Sequence, residues 1–506
     1  MLRLCLFLPM LCFAGSWSQE KLMEMSLEEK VGQLFVAPAA PLREDEHWQD
    51  WEHLLQNYHI GNALLKASDP ISQIRFLEKL QSASKTPLLI LADAEWGLGM
   101  RMIGAISFPK NLTLGAVQDL SLLEEMGRSI GRQAAKVGIH LNLAPVADVN
   151  SNPQNPIIHM RSFGEDPQET AKRVQAIIRG MRGEGLFTCA KHFPGHGDTL
   201  QDSHKTLPLV QHIELSPFQA AIEEGGECVM SGHLLFPSLD SWPTSLSSKC
   251  MEKLLREKLH FKGIAITDAL NMRALDSFSV EEIAIRAYEA GHQLLLYGAH
   301  LNEDVDELMR EQIPRAWTAL EKAFLEGRLS IDELDRRVLA ILEMKERRKI
   351  GVCSPNIFEA EDLALKRELY RQALTMRGSL PSHIQGYIAV NGNEDMWIVQ
   401  KMREKGIEVL CYEPGTKINL EPFSDWIVGV HRVKGIAEGF GLDDQAVRLF
   451  KTSPLSILFC TPYVTKVISE KQSVLIAYEN DADAQEAAWD ALQGNLIPRG
   501  HCSIGL

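Results

Sequence analysis

The chain predicts an α/β architecture of two units: a (β/α)8 barrel followed by a smaller α/β sandwich with a mostly parallel sheet. Three observations carry this. Short, continuously apolar runs alternate with helical stretches, the pattern of a parallel sheet covered on both faces. Eight such runs fall between residues 31 and 345, the repeat number of a closed barrel. Past residue 350 the alternation restarts with five further runs, and 506 residues exceed what one ordinary core holds.

The eight runs are "QLFVAP" (33–38), "NALLK" (62–66), "PLLILAD" (87–93), "HLNLAPVADV" (140–149), "FTCAKHF" (187–193), "CVMSGH" (228–233), "GIAITDA" (263–269) and "HQLLLYG" (292–298). Between them, "PISQIRFLEKLQSA" and "PQETAKRVQAIIRGMRGEG" space apolar residues three and four apart, and Gly138, Gly185 and Gly291 end helices. The barrel is assigned to residues 19–350, and residues 351–377, opening with "GVCSPNIFEA", to a linker and connecting helix. Residues 378–506 form the second unit, with strands at "YIAV" (387–390), "IEVLCY" (407–412), "WIVGV" (426–430), "LSILFC" (455–460) and "SVLIAY" (473–478).

Composition narrows the function classes. A net charge of −15 leaves nothing to neutralise a run of phosphates, which argues against nucleic acid as a partner. An apolar share of 45% with 24% charged residues is that of a globular protein, and no run is long enough for a transmembrane helix. "MLRLCLFLPMLCFAGSWSQE" has a positive start at Arg3, an apolar core and small residues at Ala14 and Ser16, so residues 1–18 are expected to be a signal peptide. That expectation implies export to a periplasmic or extracellular space, and a cytoplasmic location if the N-terminus is not cleaved. Leu11 before Cys12 is bulkier than lipidation prefers. The other seven cysteines are scattered singly without a CxxC pair, and they read as small core residues rather than a disulfide frame or a zinc site.

In a barrel of this kind chemistry gathers at the C-terminal ends of the strands, where the polar exceptions of this chain fall. Asp93 ends the third run in "LADAEWGLGMR", with Arg101 in the same loop; Arg161 follows the fourth run in "NPIIHMRSFGEDP". Lys191 and His192 end the fifth, His233 the sixth, and Asp268 the seventh in "IAITDALNM". A carboxylate directly after "GIAIT" is costly to bury without a partner, so Asp268 is either catalytic or the cap of the next turn. Lysine and arginine converging with aspartates on one mouth suit the gripping of hydroxyls.

The loop "KHFPGHGDTLQDSH" (191–204) follows the fifth run and overhangs the mouth. Its His192, His196, Asp198, Asp202 and His204 are of metal-ligating types, and a metal-dependent hydrolase is one reading. Pro194, Gly195 and Gly197 forbid a helix that would aim two histidines together. A structural His–Asp network is another reading. The third is an acid–base pair, Asp202-x-His204, in which the carboxylate orients the imidazole and favours its protonated form.

"KHFPGHGDTLQDSH" together with "TDALNM", "RSFGEDP", "DAEWGLGMR" and "MSLEEKVGQLF" resembles glycoside hydrolase family 3, in its β-N-acetylhexosaminidase branch. The likeness runs from about residue 24 to 345 with the motifs in the family's order, and "LIAYENDADAQEAAWDALQG" extends it more loosely into the second unit. The resemblance implies a retaining exo-glycosidase that removes terminal β-linked N-acetylglucosamine, with no metal and no cofactor. It assigns the nucleophile to Asp268, the general acid/base to His204 and its partner to Asp202. The sugar-binding set is Asp93, Arg101, Arg161, Lys191 and His192; His196 and Asp198 shape the loop, and His233 receives no role. "AEWGLGM" departs from the Gly–Gly pair frequent after the aspartate, and Ala269 stands where a second aspartate is common. With a signal peptide, the resemblance points to cell-wall fragments as substrate. Family 3 β-glucosidases, whose acid/base is a glutamate in the second domain, are the alternative within the family, and a silent sugar-binding protein the alternative outside catalysis.

Overall fold

The computed structural model describes residues 16–298, 305–348, 353–416, 419, 423, 425–467 and 472–505. All eight predicted runs are strands: β1 Phe35–Ala39, β2 Asn62–Leu65, β3 Leu89–Ala92, β4 Leu141–Asn142, β5 Phe187–Phe193, β6 Cys228–Ser231, β7 Ile264–Thr267 and β8 Leu295–Leu296. Each pairs in parallel with its neighbour in sequence, and β8 returns to β1. The last seam, between β7 and β8, closes through Thr267 N–H on the Leu294 carbonyl (3.1 Å) and an Ile266–Leu294 bridge. A ring of eight parallel strands has no open edge.

The fourth strand is a correction. The sequence assigns residues 140–149 to it, but the ladder holds only Leu141–Asn142. Pro145 has no amide to give to a ladder, and the regular pairing is interrupted there. The chain still follows β5, with the Ala144 and Pro145 carbonyls accepting from the Cys189 (3.0 Å) and Lys191 (3.2 Å) amides, a bridge from Val146 to Lys191, and Ala147 N–H on the Lys191 carbonyl at 2.6 Å.

Gly138, Gly185 and Gly291 sit at φ +75°, +81° and +113° after their helices, as the sequence predicts. Asp166 caps the helix Pro167–Gly183 by accepting from the Gln168 and Glu169 amides, with Pro167 at its first position. This fixes the exit of the loop that carries Arg161.

The second sheet contains the five predicted strands, β10 Gly386–Val390, β11 Glu408–Tyr412, β12 Ile427–Val430, β13 Ser456–Leu458 and β14 Val474–Ile476, all mutually parallel. A sixth, β9 Thr375–Arg377, pairs antiparallel with β14, inside the stretch assigned to the linker. The connecting helix is Ala360–Ala373. It is anchored to the barrel: Asp362 takes hydrogen bonds from Ser129 Oγ (2.5 Å) and Arg132 (3.3 Å).

The two units meet along the barrel mouth. Glu479, after β14, accepts from Lys110 N–H (2.7 Å) and Thr113 Oγ1 (2.6 Å). Tyr463 donates to Glu165 at 2.8 Å and receives Asn150 Nδ2 at 2.7 Å. The terminal segment adds Gly505 N–H on Glu165 (2.9 Å), while Glu165 N–H reaches the Ser503 carbonyl (3.0 Å).

Most of the expected signal peptide, residues 1–15 of 1–18, lies outside the described residues. A helix, Trp17–Glu24, overlaps its end, with Ser18 buried and its hydroxyl on Glu346 at 2.8 Å. No helix among the described residues is long and apolar enough to cross a membrane. The seven described cysteines are free thiols; Cys189, Cys228, Cys250 and Cys460 are buried in the core, whereas Cys353 is exposed.

Candidate active site

A cavity of about 250 Å³ opens at the C-terminal end of the barrel. Asp93, Arg101, Arg161, Lys191, His192, His204 and Asp268 all line it, and Asp202 stands behind His204. Glu95, Trp96, His196 and Ser203 complete its polar wall, and Met100, Leu143, Ile157, Met230 and Leu296 its apolar one.

The cations of the site are held by carboxylates, so their donors are fixed before any ligand arrives. Lys191 Nζ lies 2.8 Å from Asp93 Oδ1 and 2.8 Å from Glu95 Oε1. Arg161 reaches Glu95 at two points, 3.0 and 2.6 Å, and Arg101 lies 3.6 Å from Asp93. Burial works against the Glu95 charge, but Arg161 and Lys191 outweigh it and hold the carboxyl far below its ordinary range. Burial likewise disfavours the Lys191 and Arg161 charges, and their carboxylate partners more than restore them.

His192 is oriented by Asp148. Its ring Nδ1 is 2.7 Å from Asp148 Oδ2, and its main-chain N–H also reaches that carboxylate at 3.2 Å. Arg161 Nη2 stands 3.3 Å from His192 Nε2. A guanidinium has only donors, so Nε2 accepts and Nδ1 carries the proton. Asp148 is fully buried and takes a further bond from His196 N–H at 2.7 Å.

Asp268 follows β7, where its own N–H bonds the Ser231 carbonyl (2.9 Å) and its Oδ1 accepts from Ala269 N–H (2.8 Å). The side chain retains access to the cavity. Burial raises its carboxyl, yet the facing His192 and His233 and the Ala269 amide prevail and bring it down to about 2. It is ionised at any physiological pH. His233 receives a position: it bonds the Ala269 carbonyl through Nε2 (2.9 Å) and Ser245 Oγ through Nδ1 (2.7 Å). It therefore braces the turn that carries Asp268.

Asp202 Oδ1 takes both the ring Nδ1 of His204 (2.8 Å) and its main-chain N–H (2.9 Å). Nδ1 is thereby occupied, and Nε2 is the nitrogen left for the cavity. The rest of the loop is structural. His196 is enclosed, with Thr199 Oγ1 on one ring nitrogen (2.8 Å) and Ser203 Oγ on the other (2.9 Å); burial brings it down to about 4. Asp198 accepts from the Gln211 and His212 amides. Gly197 has no room for a side chain, since a Cβ would fall 1.5 Å from the Val149 carbonyl. The loop histidines and aspartates thus have separate partners, and among the described residues no three His, Cys, Asp or Glu side chains are grouped as a metal site.

Sequence reasoning missed Glu95 and Asp148. Glu95 sits in the quoted "DAEWGLGMR", two residues after Asp93, and Asp148 inside a run taken for strand. The available signal was an acidic residue within an otherwise apolar stretch, which demands a partner when buried.

Residues 26–344 match the profile described as "Glycosyl hydrolase family 3 N terminal domain". Beta-hexosaminidase A of Pseudoalteromonas piscicida is 30% identical over 361 residues, which is 64% of this chain and 60% of that protein. Beta-hexosaminidase LpqI of Mycobacterium tuberculosis is 30% identical over 339 residues, 63% of this chain and 83% of that one. The match spans about 60% of the length of the first two curated relatives. The solved structure of a glycoside hydrolase family 3 beta-N-acetylglucosaminidase from Paenibacillus sp. str. FPU-7 superposes with a TM-score of 0.81 at 27% identity, covering 95% of this chain and 99% of that one. With a profile match over most of the barrel, the chain belongs to glycosyl hydrolase family 3.

Proposed function

We propose that this protein is a retaining, exo-acting β-N-acetylhexosaminidase that hydrolyses terminal β-linked N-acetylglucosamine. The observation that carries the reading is that Asp268, held as a carboxylate, and His204, backed by Asp202, line one small cavity with a preset ring of hydroxyl-binding cations. The names of the relatives, beta-hexosaminidases and a beta-N-acetylglucosaminidase, support the sugar.

In the first half-reaction an Asp268 oxygen attacks the anomeric carbon as the bond to the leaving oxygen breaks. The proton on His204 Nε2 passes to that oxygen, while Asp202 steadies the imidazolium through Nδ1. The product is a glycosyl ester on Asp268 and a free alcohol. In the second, neutral His204 takes a proton from water, whose oxygen displaces Asp268 and releases the sugar with its β configuration. Asp93, Arg101, Arg161, Lys191 and His192 hold the ring hydroxyls and the acetamido group. No metal or cofactor takes part in this scheme.

The substrate is a cell-wall fragment, and the protein is exported, with residues 1–18 removed as a signal peptide. N-terminal sequencing of the mature protein tests export.

The decisive assay compares aryl β-N-acetylglucosaminide with aryl β-glucoside, with and without phosphate, and with EDTA. Preference for the first, unaffected by chelation, supports the reading. Preference for the glucoside, or loss of rate with EDTA, overturns it.

A further inference from the structure

His204 sits on a turn that hydrogen bonds tie to the barrel at one point. From Leu200 to Leu207 every residue is exposed or half-buried except Ser203, which is buried. The hydrogen bonds of this turn are otherwise local. The Asp202 carboxylate takes the ring and the amide of His204, and the Asp202 carbonyl takes the Lys205 (2.9 Å) and Thr206 (3.0 Å) amides. Among the described residues one hydrogen bond leaves the turn, between Ser203 Oγ and His196 Nε2 at 2.9 Å.

The direction of that bond follows from the surroundings of His196. Thr199 Oγ1 donates to the His196 carbonyl (3.0 Å), so its one proton is spent and it accepts from ring Nδ1 (2.8 Å). Asn155 Nδ2 reaches the same carbonyl (2.7 Å) and Thr199 Oγ1 (3.2 Å), which completes both groups. His196 thus carries its proton on Nδ1, and its Nε2 lone pair receives the Ser203 hydroxyl. Burial, which brings this ring down to about 4, keeps it neutral and able to accept near neutral pH. The ring's own backbone is fixed, for His196 N–H lies 2.7 Å from Asp148, whose carboxylate also orients His192 through Nδ1 at 2.7 Å. Asn152 N–H bonds the Gly197 carbonyl (3.2 Å) and its Nδ2 the Asp198 carbonyl (3.3 Å). The first half of the loop is therefore welded to the segment after β4, and the second half hangs from one hydroxyl.

We propose that Ser203 is a positioning residue for the acid/base: its hydroxyl, donated to His196, holds the Asp202–His204 pair at the cavity in register with His192, with Asp148 as the common root of both. The inference rests on the glycosidase reading above, with His204 as the proton donor. A donor displaced by an ångström costs about a hundredfold in rate, whereas Asp93, Arg101, Arg161 and Lys191, on other elements, stay in place to hold the sugar.

The test uses the full chain with Ser203→Ala, His204→Ala and the double variant. The substrates are N,N′-diacetylchitobiose, a poor leaving group, and an aryl N-acetylglucosaminide with an acidic phenol, a good one. Ser203→Ala should lower kcat/KM for the disaccharide about tenfold or more, carried by kcat, and for the aryl glycoside less than about twofold. In the His204→Ala background the same change should cost less than about twofold on either substrate, because the group it positions is gone. No loss on the disaccharide, equal losses on the two substrates, or the full loss in both backgrounds would overturn the inference and leave the glycosidase reading intact. Failure of the wild type to cleave either substrate would instead sink that reading, and the inference with it. Ser203→Cys, of similar size but a weak donor, should show the same selectivity and serves where the alanine variant does not fold; equal effects on the two substrates overturn the inference there too.

Discussion

Glu95 grips Arg161 at two points, Nε to Oε2 at 3.0 Å and Nη2 to Oε1 at 2.6 Å, with the carboxylate almost wholly buried. It also touches Lys191, so one acid sets two cations that line the cavity. Glu95→Gln keeps the shape and removes the charge. Breaking a buried ionic cluster from one side costs about 3–5 kcal/mol, and misplacing a binding group by an ångström about a hundredfold in rate. The expected outcome is a lower melting temperature together with a raised KM. A variant with wild-type KM would show that Glu95 is only a structural acid.

Asp268→Asn should abolish turnover and leave the fold in place, because the side chain meets the cavity rather than the core. Loss of covalent catalysis costs several kcal/mol, so activity should fall by about 10³-fold or more. Circular dichroism checks the fold, and mass spectrometry of the wild type after a slow 2-fluoro sugar should find the label on this residue. A label elsewhere would reassign the nucleophile.

His204→Ala should discriminate between leaving groups. An aryl glycoside with an acidic phenol needs no proton and should keep fast glycosylation, whereas a disaccharide should lose about 10²–10⁴-fold, the share of general acid catalysis. Azide, which attacks without a base, should restore turnover as the β-glycosyl azide. Asp202→Asn should act in the same direction but more mildly, because Nδ1 keeps a hydrogen-bond partner and loses only the charge. Equal losses for good and poor leaving groups, with no azide rescue, would return the loop to a structural role.

Stability should fall from the acid side in two stages. Burial, the leading cause in each case, brings His47, His159, His196 and His431 down to about 4. Between that value and the ordinary imidazole value near 6.5 the unfolded chain binds the proton and the folded one does not, so stability declines as pH falls through this window. Each group adds up to about 1.4 kcal/mol per pH unit there. The lowered carboxyls follow. Asp268 at about 2 contributes stability that is complete above the ordinary carboxylate range and disappears as pH falls through 2. Melting temperatures from pH 7.5 to 4.5 should fall steadily, and a flat profile would contradict this burial. The same value predicts that Asp268 sets no acid limb on kcat/KM near neutrality.

The barrel was legible because each strand is buried on both faces, so that short runs such as "LLILA" and "IAIT" stay apolar throughout and recur eight times between helical stretches. β9 was not, since Thr375–Arg377 is three residues at a sheet edge with only its first residue buried, too short to impose a period. In the site, residues that interrupt an apolar run at its end announced themselves: Asp93, Lys191, His192 and Asp268. Glu95 and Asp148 did not, because their work is done on other side chains. A carboxylate that orients Arg161 or His192 is identified by a partner 66 or 44 residues away, a pairing that only the closed barrel creates. His233 is similar, for its position has meaning only once the Ala269 carbonyl is seen at 2.9 Å.

Tyr463 and the terminal segment both end on Glu165, four residues past Arg161 in the same loop. The placing of the loop that carries Arg161 is thus shared out along the chain, and part of it is written in its last tenth. A library screened for altered affinity should return winners between 463 and 505 that inspection of the cavity wall would discard. Transplanting this barrel onto another accessory unit would require transplanting the partners of Glu165 too, or accepting a looser hand on the substrate.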